Sequence, residues 1–401
     1  MWLTFALRNI FHNRYQFGGT LFAIALCVFL FMMLKAFSAG SLDSFKNVTI
    51  RSRTGHGAIF AKGYYGNNFE NPFNHWITSG DKAIEQIKNL TNAEFLFPRV
   101  TFSGMAYAKS KSAAVETTGM LLEAEREFFQ DRQMLQGVHA KSSYEVILGE
   151  GLAERLGSAP GSTITLLTST VDGTQNSIDL VVTGIFKSGN RNHDFGAMYI
   201  DIQTAQTLLD TAKLEMILYS FRNLHDTLRG FEQSALAQTL EDIPLEELDR
   251  LYYQNSVIWL KEQLDLATAI VVLAAVLSSL GMINFALRCR ASEFGILKTH
   301  GESHAKLLSY LAREGGLLAA CGWAIGTLCF LTVAVLSKEH GFKLPPAPGT
   351  TRSYLVFVTF STLGAAESLC LALGSTWACY FISFFNISRQ STIKLLNGVS
   401  S

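Results

Sequence analysis

Between Asp43 and Lys261 there is no cysteine, although the chain carries six. They are Cys27, Cys289, Cys321, Cys329, Cys370 and Cys379, each in or beside a long apolar run. A disulfide framework for the intervening stretch is therefore excluded, and that stretch must fold on its own apolar core. The remaining thiols read as small apolar residues rather than as a redox or metal centre. Charge is scarce too: 16% of residues are charged, against about 25% in an average soluble domain. Lys+Arg and Asp+Glu number 33 each, so the formal charge is zero and no nucleic-acid partner is implied. No G-x-x-x-x-G-K-[ST] occurs, so nucleotide chemistry must come from another subunit. Low-complexity tracts, short-period repeats and Pro/Ser-rich linkers are also absent.

What the chain does have is four apolar runs, near Phe17–Leu34, Leu266–Leu287, Leu311–Leu336 and Tyr354–Phe385. Each is long enough for a hydrocarbon core, which needs about 20 helical residues. The charge deficit is confined to these runs, and the stretch between the first and second has ordinary soluble composition. The fold class expected is a membrane α-helical protein of four transmembrane helices, with a large α+β extracytoplasmic domain between helices 1 and 2. The divisions expected are transmembrane helices at 15–40, 263–288, 311–336 and 354–385, with the outer domain at 41–262. A cytoplasmic amphipathic helix falls at 1–14, a cytoplasmic loop at 289–310, a short outer loop at 337–353 and a cytoplasmic tail at 386–401.

Orientation follows from the basic residues. Arg8 and Arg14 precede the first run, Arg288, Arg290, Lys298, Lys306 and Arg313 follow the second, and Arg389 and Lys394 follow the fourth. These segments face the cytoplasm, and the large domain faces outward. The first run exceeds the 7–15 apolar residues of a signal peptide, and no A-x-A site follows, so it reads as a permanent helix. Trp2, Leu3, Phe5, Ala6 and Ile10 are spaced for a short helix lying on the inner face, anchored by Trp2. Lys35, near the outer end of the first run, is expected to snorkel to the headgroups.

In the outer stretch, β-branched and aromatic content predicts strands at Phe95–Val100, Met105–Ala108, Ser162–Thr168, Asp179–Ile185 and Ala197–Ile200. Asp172-Gly173 marks a hairpin, and Pro160-Gly161 another turn. Helices are expected at Glu150–Leu156, stopped by Gly157, at Ile202–Leu209 and at Leu224–Leu240. The segment Gly149–Gly157 (GEGLAERLG) lacks G-x-G-x-x-G spacing and reads as a turn into a structural helix.

No catalytic constellation stands out. His300 and His304 flank Glu302 as H-G-E-S-H rather than H-E-x-x-H, with Gly301 against a continuous helix, so no metal site is assigned. Asn284 and Glu367 are polar residues inside apolar runs. A mid-membrane carboxylate costs about 2.5–3.5 kcal/mol on insertion scales, so Glu367 either faces a partner or lies near the outer end of a span beginning at Leu369. Gly322 and Gly326 form a G-x-x-x-G for close helix packing. The inner loop carries more. Phe294, Ile296 and Leu297 make an apolar group with Gly295 and Gly301 as breaks, suited to a groove on a partner.

At this loop the sequence resembles the FtsX/MacB-like ABC permeases, the class that includes the lipoprotein-release permeases. Glu293, Gly295, Ile296, Leu297, Lys298 and Gly301 match the family's E-x-G-I-L-K-x-x-G, and Glu314-Gly315 resembles the E-G opening its third helix. Phe5-Ala6-Leu7-Arg8-Asn9 resembles the opening pattern, and Thr54-Gly55-His56 and Lys62-Gly63-Tyr64 resemble segments after the first crossing. Val146–Gly157 with Pro160-Gly161-Ser162 resembles an outer-domain segment. Ile387–Gly398 resembles the closing R-x-x-P-x-x-A-L-R-G but lacks its proline and second arginine.

The resemblance implies a permease subunit with no catalytic residue and no cofactor of its own. ATP and Mg would be bound by a separate cytoplasmic ABC ATPase. Glu293, Phe294, Gly295, Ile296, Leu297, Lys298 and Gly301 would seat in a groove of that ATPase. A second permease, identical or paralogous, would complete the assembly in the bacterial inner membrane, and membrane lipids, a periplasmic adaptor or a lipoprotein would be the further partners. Three activities stay open: extraction of a lipoprotein or lipid-like amphiphile, efflux with a periplasmic adaptor, and mechanotransmission to a periplasmic hydrolase. An anchored enzyme or receptor is the reading from another class.

Overall fold

The structure, a computed structural model, describes residues 14–64, 72–129, 133–248, 250, 257–345 and 353–389. The amphipathic segment expected at the start and nearly all of the closing motif lie outside these residues. The chain divides into two compact units: a helical one drawn from both ends of the chain, and an outer one formed by Asp43–Ile258 with Leu344–Tyr354.

Among the described residues four helices are long and apolar enough to cross a membrane. They run over Arg14–Thr49, Trp259–Cys289, His304–His340 and Thr362–Ser388. The third starts at His304 rather than Leu311, because Ser303 caps it: its Oγ accepts from the Lys306 N–H at 3.4 Å. The fourth starts at Thr362, so residues 354–361 are not helical as expected. Tyr354–Val356 instead pairs as a strand with Phe342–Leu344. The helices share a core that includes Ile24, Val28, Phe31, Ile283, Leu287 and Phe330. Trp323 Nε1 donates to the Ala365 carbonyl and to Ser368 Oγ, both at 3.1 Å, and ties the third helix to the fourth.

The outer unit is α+β. Its strands are β1 (Gly57–Ala61), β2 (Phe95–Ala108), β3 (Lys111–Met120), β4 (Gln133–Gly137), β5 (Glu145–Gly149), β6 (Thr163–Ser169), β7 (Gln175–Lys187), β8 (Ala197–Asp201), β9 (Met216–Ser220) and β10 (Leu240–Pro244). Strand β2 belongs to two sheets. Its first part, Phe95–Arg99, pairs antiparallel with β9, which continues through β1 to β10. Its second part pairs with β3 and β6. From β3 the ladder runs to β8, β5, β7 and β6 and returns to β2, so six strands close a ring. Within the ring β3–β8 and β5–β7 are parallel. Buried residues such as Phe102, Leu148, Ile164, Leu180, Met198 and Ile200 form an apolar core.

The helix Glu150–Leu156 is as expected, and Gly157 ends it at φ 62°. The helix Ile202–Leu209 and the β6–β7 hairpin over Asp172-Gly173 also match the expectation. Two readings are corrected. Phe95–Val100 and Met105–Ala108 are one strand, because both ends of the continuous β2 ladder are paired. Leu224–Leu240 is not a helix: Gly230 sits at φ 83°, and only Ala235–Gln238 forms a 3-10 turn before β10.

Candidate functional site

The loop between the second and third membrane helices contains a short helix, Ala291–Thr299. Gly301 ends it at φ 81°, with its N–H donating to the Lys298 carbonyl at 3.1 Å and the Glu302 N–H donating to Leu297 O at 3.3 Å. Gly295 lies inside this helix and does not break it, which corrects the sequence reading. Burial divides the segment. Ala291, Phe294 and Gly295 are buried, at the i, i+3, i+4 spacing of one helical face. Phe294 belongs to the bundle core with Leu287, Leu307 and Leu311, so it is not part of an exposed apolar tip. Ile296 and Leu297 stand outward, 50% and 37% exposed, with Glu293 exposed and Lys298 half-buried.

Arg290 fastens this helix from below its first turn. Its Nη1 donates to Glu314 Oε1 at 2.6 Å and its Nε to Glu293 Oε2 at 2.9 Å. The guanidinium carbon lies 5.9 Å from the Phe294 ring centroid. Arg290 and Glu314 are both buried. Sequence reasoning counted Arg290 only as an orienting charge and Glu314 only as part of a family motif. No local periodicity joins residues 24 apart, so their pairing was hidden. The imidazoles of H-G-E-S-H do not converge. His300 Nδ1 engages the Ile296 carbonyl at 2.9 Å, whereas His304 packs edge-on against Phe384.

Gly322 and Gly326 face the first membrane helix. A Cβ at Gly322 would lie 2.6 Å from Ile24 Cγ2, and one at Gly326 would lie 2.5 Å from the Ala25 carbonyl oxygen. Asn284 is half-buried, and its Oδ1 is buried without a hydrogen bond among the described residues. Glu367 sits in the second turn of the fourth helix, where Oε2 meets Lys35 Nζ at 3.3 Å. Lys35, expected from the sequence to snorkel to the headgroups, thus has a carboxylate partner within the protein.

The outer unit has a concavity of about 330 Å³ whose lining includes Tyr64, Glu116, His193, Tyr199 and Glu215. Glu215 is buried in its wall. Its carboxylate accepts from Tyr64 O–H at 2.5 Å and from the Thr101 N–H at 2.7 Å. Loss of water raises its pKa above the usual carboxylate range, against these two bonds, and Glu116 adds to the rise. Nearby, Arg99 and Glu125 form a buried ion pair.

Comparison with known proteins fixes the family. Residues 17–226 match the MacB-like periplasmic core domain, and residues 266–392 match the FtsX-like permease C-terminal domain. The chain belongs to the FtsX/MacB-like ABC permeases. Solved structures are similar at low identity. One is the extracellular domain of a noncanonic ABC-type transporter, YknZ, from Gram-positive bacteria, with 14% identity and a TM-score of 0.32, covering 50% of this chain and 93% of that one. Another is the periplasmic region of MacB from Actinobacillus actinomycetemcomitans, with 13% identity and a TM-score of 0.36, covering 51% of this chain and 95% of that one. No curated protein of similar sequence is found. As a permease of this family the chain is a non-enzymatic membrane subunit with an extracytoplasmic domain.

Proposed function

We propose that this permease works with a separate cytoplasmic ATPase, which binds ATP and Mg, and uses its hydrolysis to extract a lipoprotein or lipid-like amphiphile from the outer face of the bacterial inner membrane. The observation that carries this reading is the divided helix Ala291–Thr299. Phe294 roots it in the bundle, Arg290 bolts it to Glu314 on the third membrane helix, and Ile296 and Leu297 are left outward. A rigid lever with a small apolar tip suits a groove on a partner, and movement of the tip would pass directly to a membrane helix. Two permease chains, identical or paralogous, would flank the substrate. The P-loop missing from this chain is what the ATPase would supply.

The test is gentle extraction into lipid discs followed by native mass spectrometry. The expected species contains two permease chains and an ATPase, with an acylated protein or lipid retained. A lone chain that holds no ATPase in the mildest discs would overturn the proposal and move the weight to an anchored enzyme or receptor.

A further inference from the structure

A cavity of about 190 Å³ lies at the outward ends of the first, third and fourth membrane helices. Met32, Ala36 and Phe330 give it apolar lining, and Lys35, Glu367, Thr359 and Ser361 give it polar lining, with Ser361 Oγ accepting from the Gly364 N–H at 3.4 Å and keeping its own proton to donate. The walls are firmly held. Ser337 Oγ accepts from the Val358 N–H at 3.2 Å, and its single proton lies within reach of the Ala334 and Val358 carbonyls, at 2.9 and 3.1 Å. A Cβ at Gly40 would lie 2.3 Å from the Phe357 carbonyl oxygen, so the first helix approaches this segment as only glycine permits.

The two charges are paired with each other, with the Phe31 ring centroid 6.0 Å from the Lys35 ammonium, and both keep hydrogen-bonding capacity beyond the pair. Lys35 and Glu367 side chains are 48% and 41% exposed, on the surface of an apolar bundle. An ammonium has three donors and a carboxylate about four lone-pair sites, and the ion pair uses one of each. Leu363, also lining the cavity, is 69% exposed and offers apolar surface beside the two charges. A cation and an anion side by side, with apolar lining and an exposed leucine next to them, complement a zwitterionic headgroup attached to a lipid tail.

We propose that this cavity binds a glycerophospholipid whose headgroup carries a primary ammonium, phosphatidylethanolamine being the chemical type. The phosphate meets Lys35 and the two hydroxyls, and the ammonium meets Glu367. A quaternary ammonium cannot donate a hydrogen bond to the carboxylate, and a glycerol headgroup has no cation to offer it. This inference does not depend on an ATPase partner or on which cargo is moved.

The experiment reconstitutes the full-length protein in discs of equal phosphatidylethanolamine, phosphatidylcholine and phosphatidylglycerol, re-extracts it mildly and quantifies the retained lipid. Phosphatidylethanolamine should be enriched about tenfold over phosphatidylcholine, the discrimination that one charge-assisted hydrogen bond provides. Glu367→Gln should abolish that discrimination while phosphate lipids are still retained, and Lys35→Gln should reduce retention of all three. The double reversal Lys35→Glu with Glu367→Lys keeps an internal ion pair but mismatches a headgroup whose phosphate is tethered to the acyl side. It should melt as wild type and lose the preference. Equal retention of the three lipids by wild type, or an undiminished preference in Glu367→Gln, would overturn the proposal.

Discussion

Arg290 Nη1 lies 2.6 Å from Glu314 Oε1, with both side chains less than one-tenth exposed. This joint holds the loop helix to the third membrane helix. Removing Glu314 leaves the buried Arg290 with the more exposed Glu293 as carboxylate partner, a loss toward the lower end of the about 3–5 kcal/mol that breaking a buried ion pair costs. Glu314→Gln should therefore loosen the loop helix without unfolding the bundle. The expected result is that the amides of Phe294–Thr299 exchange with solvent about 10²–10³ times faster. Unchanged exchange there would show that Phe294 alone anchors the helix.

Leu297 is outward and contributes little to the core. Leu297→Asp should change thermal stability by no more than about 0.5 kcal/mol, as surface substitutions do. If the tip seats in an ATPase groove, the same change places a charge in an apolar contact. Co-purification of the ATPase, and the ATP hydrolysis it couples to transport, should fall about tenfold or more, since a desolvated unpaired charge costs more than 1.4 kcal/mol. Wild-type recovery and coupling in this variant would remove Leu297 from the proposed contact. Gly301→Asp adds a second probe, because a non-glycine residue at φ 81° is strained and alters the helix end rather than its tip.

The four membrane helices were legible because each run is long, apolar and contiguous, and hydropathy is a local property. Their ends were less so. The start of the fourth was misplaced by eight residues because Tyr354–Val356 is as apolar as a helix but pairs as a strand. The helices Glu150–Leu156 and Ile202–Leu209 were legible from local stops and caps. Leu224–Leu240 misled because apolar spacing suggested a face that Gly230, at positive φ, does not allow the chain to form. Strand β5 escaped notice since its partners, β7 and β8, are distant in sequence and supply the pairing that its own composition does not announce. Of the loop site, the outward Ile296 and Leu297 were readable. The inward turn of Phe294 and the Arg290–Glu314 joint depend on tertiary packing.

The contact of Gly322 and Gly326 with the first helix gives a graded packing prediction. At Gly326 the obstruction is the backbone oxygen of Ala25, and at Gly322 it is the Ile24 side chain. Gly326→Ala should cost about 1–3 kcal/mol, as overpacking does, and Gly322→Ala should cost less because a side chain can yield. Gly374, with nothing within 4 Å of a built Cβ, serves as the control, and Gly374→Ala should be neutral or slightly stabilising by helix propensity. Thermal unfolding in lipid discs reads all three. A loss at Gly374 equal to that at Gly326 would mean that glycine matters for some reason other than close approach.

Glu215 makes the outer domain's stability depend on pH. Its pKa in the folded chain is raised, chiefly by burial, above the unfolded value of about 4.3. Between those two values the folded state binds more protons than the unfolded one, so stability falls as pH rises through that window and is flat outside it. The slope contributed is at most about 1.36 kcal/mol per pH unit. Glu215→Gln removes the titration. It should be less stable than wild type at pH 4, where a protonated carboxyl fits the site. The gap should narrow as pH rises, because only wild type pays to hold a buried charge. Tyr64→Phe deletes a donor to the ionised carboxylate and should extend the decline to higher pH. Hydrogen exchange of the β2 and β9 amides in the full-length protein, corrected for the intrinsic exchange rate at each pH, measures both. A wild-type profile parallel to that of Glu215→Gln from pH 4 to 8 would show that this carboxyl titrates alike in the folded and unfolded chain, and that burial is not what sets its charge.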